Sequence, residues 1–132
     1  MKEQFSFTGR VIEGHHLGHT LGFPTANIVV TPGERVPAFG VYATKVHFGD
    51  QCRMAVTNVG VRPTVRDNDG RVTVEGFILD FSGDLYGQPL RMEFFHRLRG
   101  ERKFPTLHAL AVEIAHNAQQ TREYFSRLNS ET

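Results

Sequence analysis

The sequence predicts a mainly β fold, an antiparallel sheet that closes on itself followed by one long C-terminal helix. Three observations point there: five runs of β-branched and aromatic residues with period two, turn chemistry at the ends of those runs, and a change to helical period beyond Thr106. Open strand edges invite pairing with other chains, so five strands with short connections favour closure.

The first run, FSFTGRVIE (5–13), alternates through Phe5, Phe7 and then Val11, as a half-buried strand does. FGVYATKVHF (39–48) repeats the pattern through Val41, Ala43 or Thr44, Val46 and Phe48. RMAVTNVG (53–60), RVTVEGFILDF (71–81) and PLRMEFFHRL (89–98) complete the set, separated by FGDQ, RDNDG and FSGDLYG. From Thr106, read as an N-cap, Leu107, Leu110, Ile114, Ala118, Thr121 and Phe125 recur at helical spacing. They predict one helix to about Leu128 whose apolar stripe seals one face of the sheet; nothing in it calls for a functional role.

A length of 132 residues, with no repeat and no linker, fits one domain over 1–132, its sheet at about 4–104 and its helix at about 106–128. At 39% hydrophobic and 22% charged residues the composition is that of an ordinary globular protein. Fifteen basic against fourteen acidic residues give no general reason to expect nucleic acid or a membrane as partner. No apolar run has bilayer length and the first ten residues lack a secretory pattern, so the expected location is cytoplasmic. The single cysteine, Cys52, fits a reducing compartment and reads as a small buried hydrophobe.

The segment EGHHLGHTLGFPTANI breaks the strand pattern. Gly14, Gly18 and Gly22 are interleaved with His15, His16, His19 and Thr20 and closed by Pro24, which makes a loop rather than a helix. Such a loop lets backbone N–H groups approach a phosphate, although it matches neither the Walker pattern nor GxGxxG, and a plain loop is the simpler reading. Thr25 and Asn27, two apart on an extended segment, face the same way. They offer hard oxygen ligands suited to Mg²⁺, or else cap nearby backbone groups. The three histidines lack the second cluster of ligands a zinc site needs and read as loop histidines.

Among carboxylates in strand-like runs, Glu75 is the unusual one, set between apolar neighbours. It faces solvent, or it points into a cleft where partial desolvation suits it to general-base work. Asp80 and Asp84 read as turn residues. The run RLRGERKF (97–104) gathers Arg97, Arg99, Arg102 and Lys103 around Gly100. It fits a solvated face, a nucleic-acid patch or a flap over an anionic ligand.

Six blocks, GHTLGFPTANI, GVYA, TNVGVRPT, VEGFILDF, DLYG and LRGERKF, occur in the order and approximate spacing of riboflavin kinases. From about Phe7 to Phe125 the chain resembles that family, whose module in many bacteria forms the C-terminal half of a bifunctional riboflavin kinase and FAD synthetase. The resemblance implies a closed, six-stranded antiparallel Greek-key barrel with a C-terminal helix. It implies transfer of phosphate from ATP to the riboflavin 5′-hydroxyl, giving FMN and ADP, with Mg²⁺ as cofactor and a linked FAD synthetase domain as an expected covalent partner. It assigns Glu75 as catalytic base, Thr25 and Asn27 to the metal and nucleotide, and Gly14, Gly18, His19 and Gly22 to the loop over the phosphates. Ile78, Asp80 and Tyr86 match positions that line the nucleotide pocket, and Arg99 and Arg102 match flap positions that contact flavin. Two positions depart from the family: His19 stands where Arg or Lys is usual, and Asn117 where an aspartate is common.

Two rival classes are a flavin- or nucleotide-binding module without catalysis on the same barrel, and an RNA-binding barrel using 97–104. Thr25, Asn27 and Glu75 together argue against the first. The lack of a broad basic surface argues against the second.

Overall fold

The computed structural model describes residues 5–12, 24–31, 33–61 and 72–130. Six strands, β1 (Phe5–Arg10), β2 (Thr25–Val29), β3 (Gly40–Phe48), β4 (Gln51–Val61), β5 (Val72–Ile78) and β6 (Pro89–Arg99), precede one helix, α1 (Leu107–Ser130). All pair antiparallel in the order β1-β6-β3-β4-β5-β2, a sheet curled into a half-barrel. Just past β1, Ile12 bridges to Asn27 of β2, its N–H donating to the Asn27 carbonyl at 2.8 Å.

Each strand sends alternate side chains to opposite faces. The inner face packs Phe7, Ile28, Val46, Val74, Met92 and Phe94 into the main core. Thr44 and Thr57, both fully buried on that face, satisfy each other across 2.7 Å, and Thr44 also donates to the Ala55 carbonyl. The outer face is covered by α1. Ile114 and Ala118 pack on Val41, Val56 and Phe77, while Phe125 and Leu128 pack on Ala43 and Phe95. β3 is therefore buried on both sides, which is why both Ala43 and Thr44 are fully buried and neither choice of phase alone describes the strand. Truncating Phe125, whose ring meets Phe95 edge-on at 5.1 Å, would cost about 3–5 kcal/mol.

The Thr106 hydroxyl caps α1 by accepting from the Ala109 N–H at 3.0 Å. Two sequence expectations are corrected. Leu107 is 52% exposed, because the buried stripe begins only once the helix reaches the sheet, with Leu110 partly buried and Ile114 fully so. Cys52 is exposed rather than buried: the helix-side clusters reach Met54, two residues short of it, and leave the hairpin end uncovered.

Candidate active site

Pairing register builds the site. Asn27 on β2 lies across from Glu75 on β5, Glu75 across from Asn58 on β4, Asn58 across from Val41 on β3, and Val41 across from Arg99 on β6. Paired residues share a face, so this row runs over five strands of the outer, helix-covered side. Thr25, across from Phe77, begins the neighbouring row on that side.

Arg99 enters the row because of two register shifts in the β3–β6 ladder, between Val41 and Tyr42 and between Ala43 and Thr44. Such bulges re-aim side chains. Without them the ladder that pairs Thr44 with Phe94 would bring Arg97 to Val41; instead Arg97 donates to the Phe39 carbonyl at 3.0 Å.

A cavity of about 120 Å³ opens where β4, β5, the segment after β6 and α1 meet. Glu75, Asn58, Arg99, Glu101, Arg102 and Phe104 supply its chemistry; Val41, Val56, Phe77, Leu110 and Ile114 form its apolar wall. Arg99 and Arg102 both lie over the Phe104 ring, at 5.5 and 4.9 Å from its centroid. An apolar wall edged by cations and carboxylates suits a ligand with an apolar body and polar edge groups.

Arg99 is held from the helix. Its Nε donates to Asn117 Oδ1 at 3.2 Å and lies 3.0 Å from Glu113 Oε2, and its Nη1 donates to the Gly100 carbonyl. Burial lowers the guanidinium's proton affinity most; Glu113 opposes that effect and the Arg102 cation adds to it. Asn117, only 1% exposed, donates from Nδ2 to Glu113 Oε2 at 3.1 Å and to Gln120 Oε1 at 2.9 Å. An amide can accept from Arg99 and donate to Glu113 at once, whereas a carboxylate there could only accept. This explains Asn117: with a carboxylate already at Glu113, the amide completes the network that reaches Arg99.

The sequence-derived residues thus divide into groups. Thr25, Asn27 and Glu75 share one face of adjacent strands, and Glu75, Arg99 and Arg102 share one cavity. Ile78 points to the other side: its side chain, 1% exposed, belongs to the inner core, while its N–H donates to the Pro24 carbonyl, just before Thr25, at 2.9 Å. Asp80 has φ 55° in the turn after β5 and accepts from Arg122 on α1 at 3.0 Å. Tyr86 is exposed, its N–H donating to Asp84 Oδ1 at 2.9 Å. Gly14, Gly18, His19 and Gly22 lie outside the described residues.

Glu113 was not legible as a site residue, and Asn117 stands out in the sequence only as a departure from the family pattern, with no partner to be read there. A carboxylate and an amide one turn apart look like a solvated helix face, and the one local signal for Glu113 is its position beside the buried Ile114. Among the described residues there is no cluster of three or more His, Cys, Asp or Glu side chains able to hold a metal. Thr25 and Asn27 remain a fitting donor set for Mg²⁺, which takes few protein ligands and completes its shell with water and phosphate oxygens. Also among the described residues, no helix is long and apolar enough to cross a membrane.

Comparison with known proteins agrees with the mainly β fold. The flavokinase family model, described as riboflavin kinase, matches residues 1–125. A bifunctional riboflavin kinase/FMN adenylyltransferase of Pseudomonas fluorescens is 44% identical over 110 residues, 83% of this chain and 35% of the relative. The chain spans between 35% and 40% of the length of such relatives, which include that of Bacillus subtilis. A riboflavin kinase structure from Trypanosoma brucei superposes with a TM-score of 0.61 at 23% identity, covering 96% of this chain and 82% of that one, and so shares its fold. A Streptococcus pneumoniae chain described as a macrolide-efflux protein superposes at TM-score 0.77 and 32% identity over 89% of this chain and 38% of its own. With a family model over nearly its whole length and a relative 44% identical across most of it, the chain belongs to the riboflavin kinase family.

Proposed function

We propose that this chain catalyses transfer of the γ-phosphoryl group of ATP to the 5′-hydroxyl of riboflavin, yielding FMN and ADP. The observation that carries the reading is Glu75, which sits between Asn27 and Asn58 in one cross-strand row and lines the same cavity as Arg99 and Arg102. That arrangement joins a base, a candidate metal and nucleotide clamp, and a cationic apolar pocket on one side of the sheet.

In this reading Glu75 accepts the proton of the 5′-hydroxyl as that oxygen bonds to the γ-phosphorus, and the bond from phosphorus to the β,γ-bridging oxygen breaks to release ADP. Thr25 and Asn27 would hold Mg²⁺ and the nucleotide, and the bound ion would supply charge neutralisation to the phosphates. Gly14, Gly18, His19 and Gly22 cover the phosphates. Asp80 and Tyr86 border the nucleotide, and position 78 contributes through its main chain, since its side chain is committed to the core. Arg99 and Arg102 hold the flavin edge. The sheet is fixed enough to keep these groups in line, and positioning supplies most of the catalysis.

Two further parts belong to the proposal. The half-barrel closes between β1 and β2, a reading supported by the Ile12–Asn27 bridge. The full-length protein carries an FMN adenylyltransferase domain that consumes the FMN formed here, supported by the names and lengths of the relatives.

The test is to incubate the purified chain with riboflavin, ATP and Mg²⁺ and to follow FMN by chromatography. FMN accumulating with time supports the reading. Riboflavin binding without FMN would leave the non-catalytic flavin-binding module in its place.

A further inference from the structure

Glu113 stands one turn before Asn117 on α1, off the strands that carry Asn27, Asn58 and Glu75. It nevertheless meets both flap arginines, one with each oxygen: Oε2 lies 3.0 Å from Arg99 Nε, and Oε1 lies 3.5 Å from Arg102 Nη1. The Arg99 pair is well shielded, with 16% and 18% of the two side chains exposed, whereas Arg102 is 58% exposed and reaches back from solvent. Both guanidinium groups lie over Phe104 and both line the cavity. Two like charges so placed repel each other, and the carboxylate between them offsets that repulsion.

We propose that Glu113 is a positioning residue for the flavin: its carboxylate ties Arg99 and Arg102 to the helix and so presents the two guanidinium groups together at the mouth of the cavity. The assignment rests on the flavin reading of that cavity. Preorganising two long side chains removes the cost of ordering them at each binding event, so its effect falls on riboflavin affinity. The nucleotide clamp lies on β2, away from this network, and ATP binding is left alone. Because Asn117 accepts from the same Arg99 Nε, the carboxylate has a second place on the helix from which it can hold Arg99.

The experiment compares wild type, E113Q and the exchange E113Q/N117D, in steady-state kinetics and in riboflavin titration by flavin fluorescence. E113Q should raise the riboflavin KM and Kd about tenfold, the scale of one charge-assisted hydrogen bond, with the ATP KM within about twofold. The exchange variant should return the riboflavin values to within about threefold of wild type. A folded E113Q with unchanged riboflavin KM overturns the proposal, as does a rise in the ATP KM alone. So does an exchange variant that regains its melting temperature without regaining riboflavin affinity. If E113Q does not fold, E113D decides: it keeps the charge and loses reach, and an unchanged riboflavin Kd there overturns the proposal. A wild-type chain that binds riboflavin but makes no FMN fails the kinase reading alone, and the same comparison on Kd still tests Glu113.

Discussion

Asn27 lies directly across from Glu75 in the β2–β5 ladder, so the amide and the carboxylate share one face of neighbouring strands. Strand pairing, not a flexible loop, sets their separation. Thr25 lies two residues from Asn27 on the same face, which joins the polar pair of PTAN to the carboxylate fifty residues away in the chain.

If those two side chains clamp the metal and nucleotide, Thr25→Ala and Asn27→Ala should each raise the KM for Mg²⁺-ATP by about tenfold or more and leave riboflavin affinity unchanged. Titrating Mg²⁺ at fixed ATP checks this, and chelation by EDTA should stop turnover in every variant. A variant with wild-type metal dependence would remove its residue from the clamp.

Arg99 and Arg102 should separate in a stability measurement. Arg99→Ala removes one partner of a shielded pair and leaves Glu113 and Asn117 facing a vacated contact, for a loss of about 3–5 kcal/mol. Arg102 is largely exposed, and Arg102→Ala should change stability by less than about 1 kcal/mol. Both should weaken riboflavin binding. Urea denaturation distinguishes the two effects, and equal losses would contradict the assigned network.

Asn117→Asp replaces two donor bonds with a second carboxylate beside Glu113 and should cost about 1–3 kcal/mol. Combined with E113Q the losses should fall short of their sum by more than about 1 kcal/mol, because the two positions share Arg99. Simple additivity in a denaturation cycle would show that they act separately.

His19 replaces a permanent cation with a group that ordinarily titrates near pH 6.5. If it meets the phosphates, its charged form favours ATP, and ATP affinity should fall as pH rises from about 6 to 8. His19→Arg should flatten that slope. A flat wild-type profile, or the same slope in the variant, would discard the role.

Much of this architecture was legible because period-two runs and glycine-rich turns report strands directly, and Thr106 marks the helix start with its own hydroxyl. What stayed hidden depends on pairing across the fold. Nothing local to β3 says that both of its faces are covered, and nothing local to Cys52 says that the helix-side packing ends at Met54. The place of Arg99 follows from two bulges, which have no mark in the sequence. Glu113 and Asn117 gain meaning only when α1 lies across the outer face and meets that arginine. Glu75 stands out in the sequence for its apolar neighbours, but its row with Asn27 and Asn58 is a matter of register.

The central claim is that Glu75 is the base of a phosphoryl transfer, and the most direct measurement is FMN and ADP production by wild type and Glu75→Gln, with riboflavin binding followed in parallel. The account predicts a fall in kcat of about 10²–10⁴ with riboflavin Kd nearly unchanged. Equal turnover in the two proteins would contradict it.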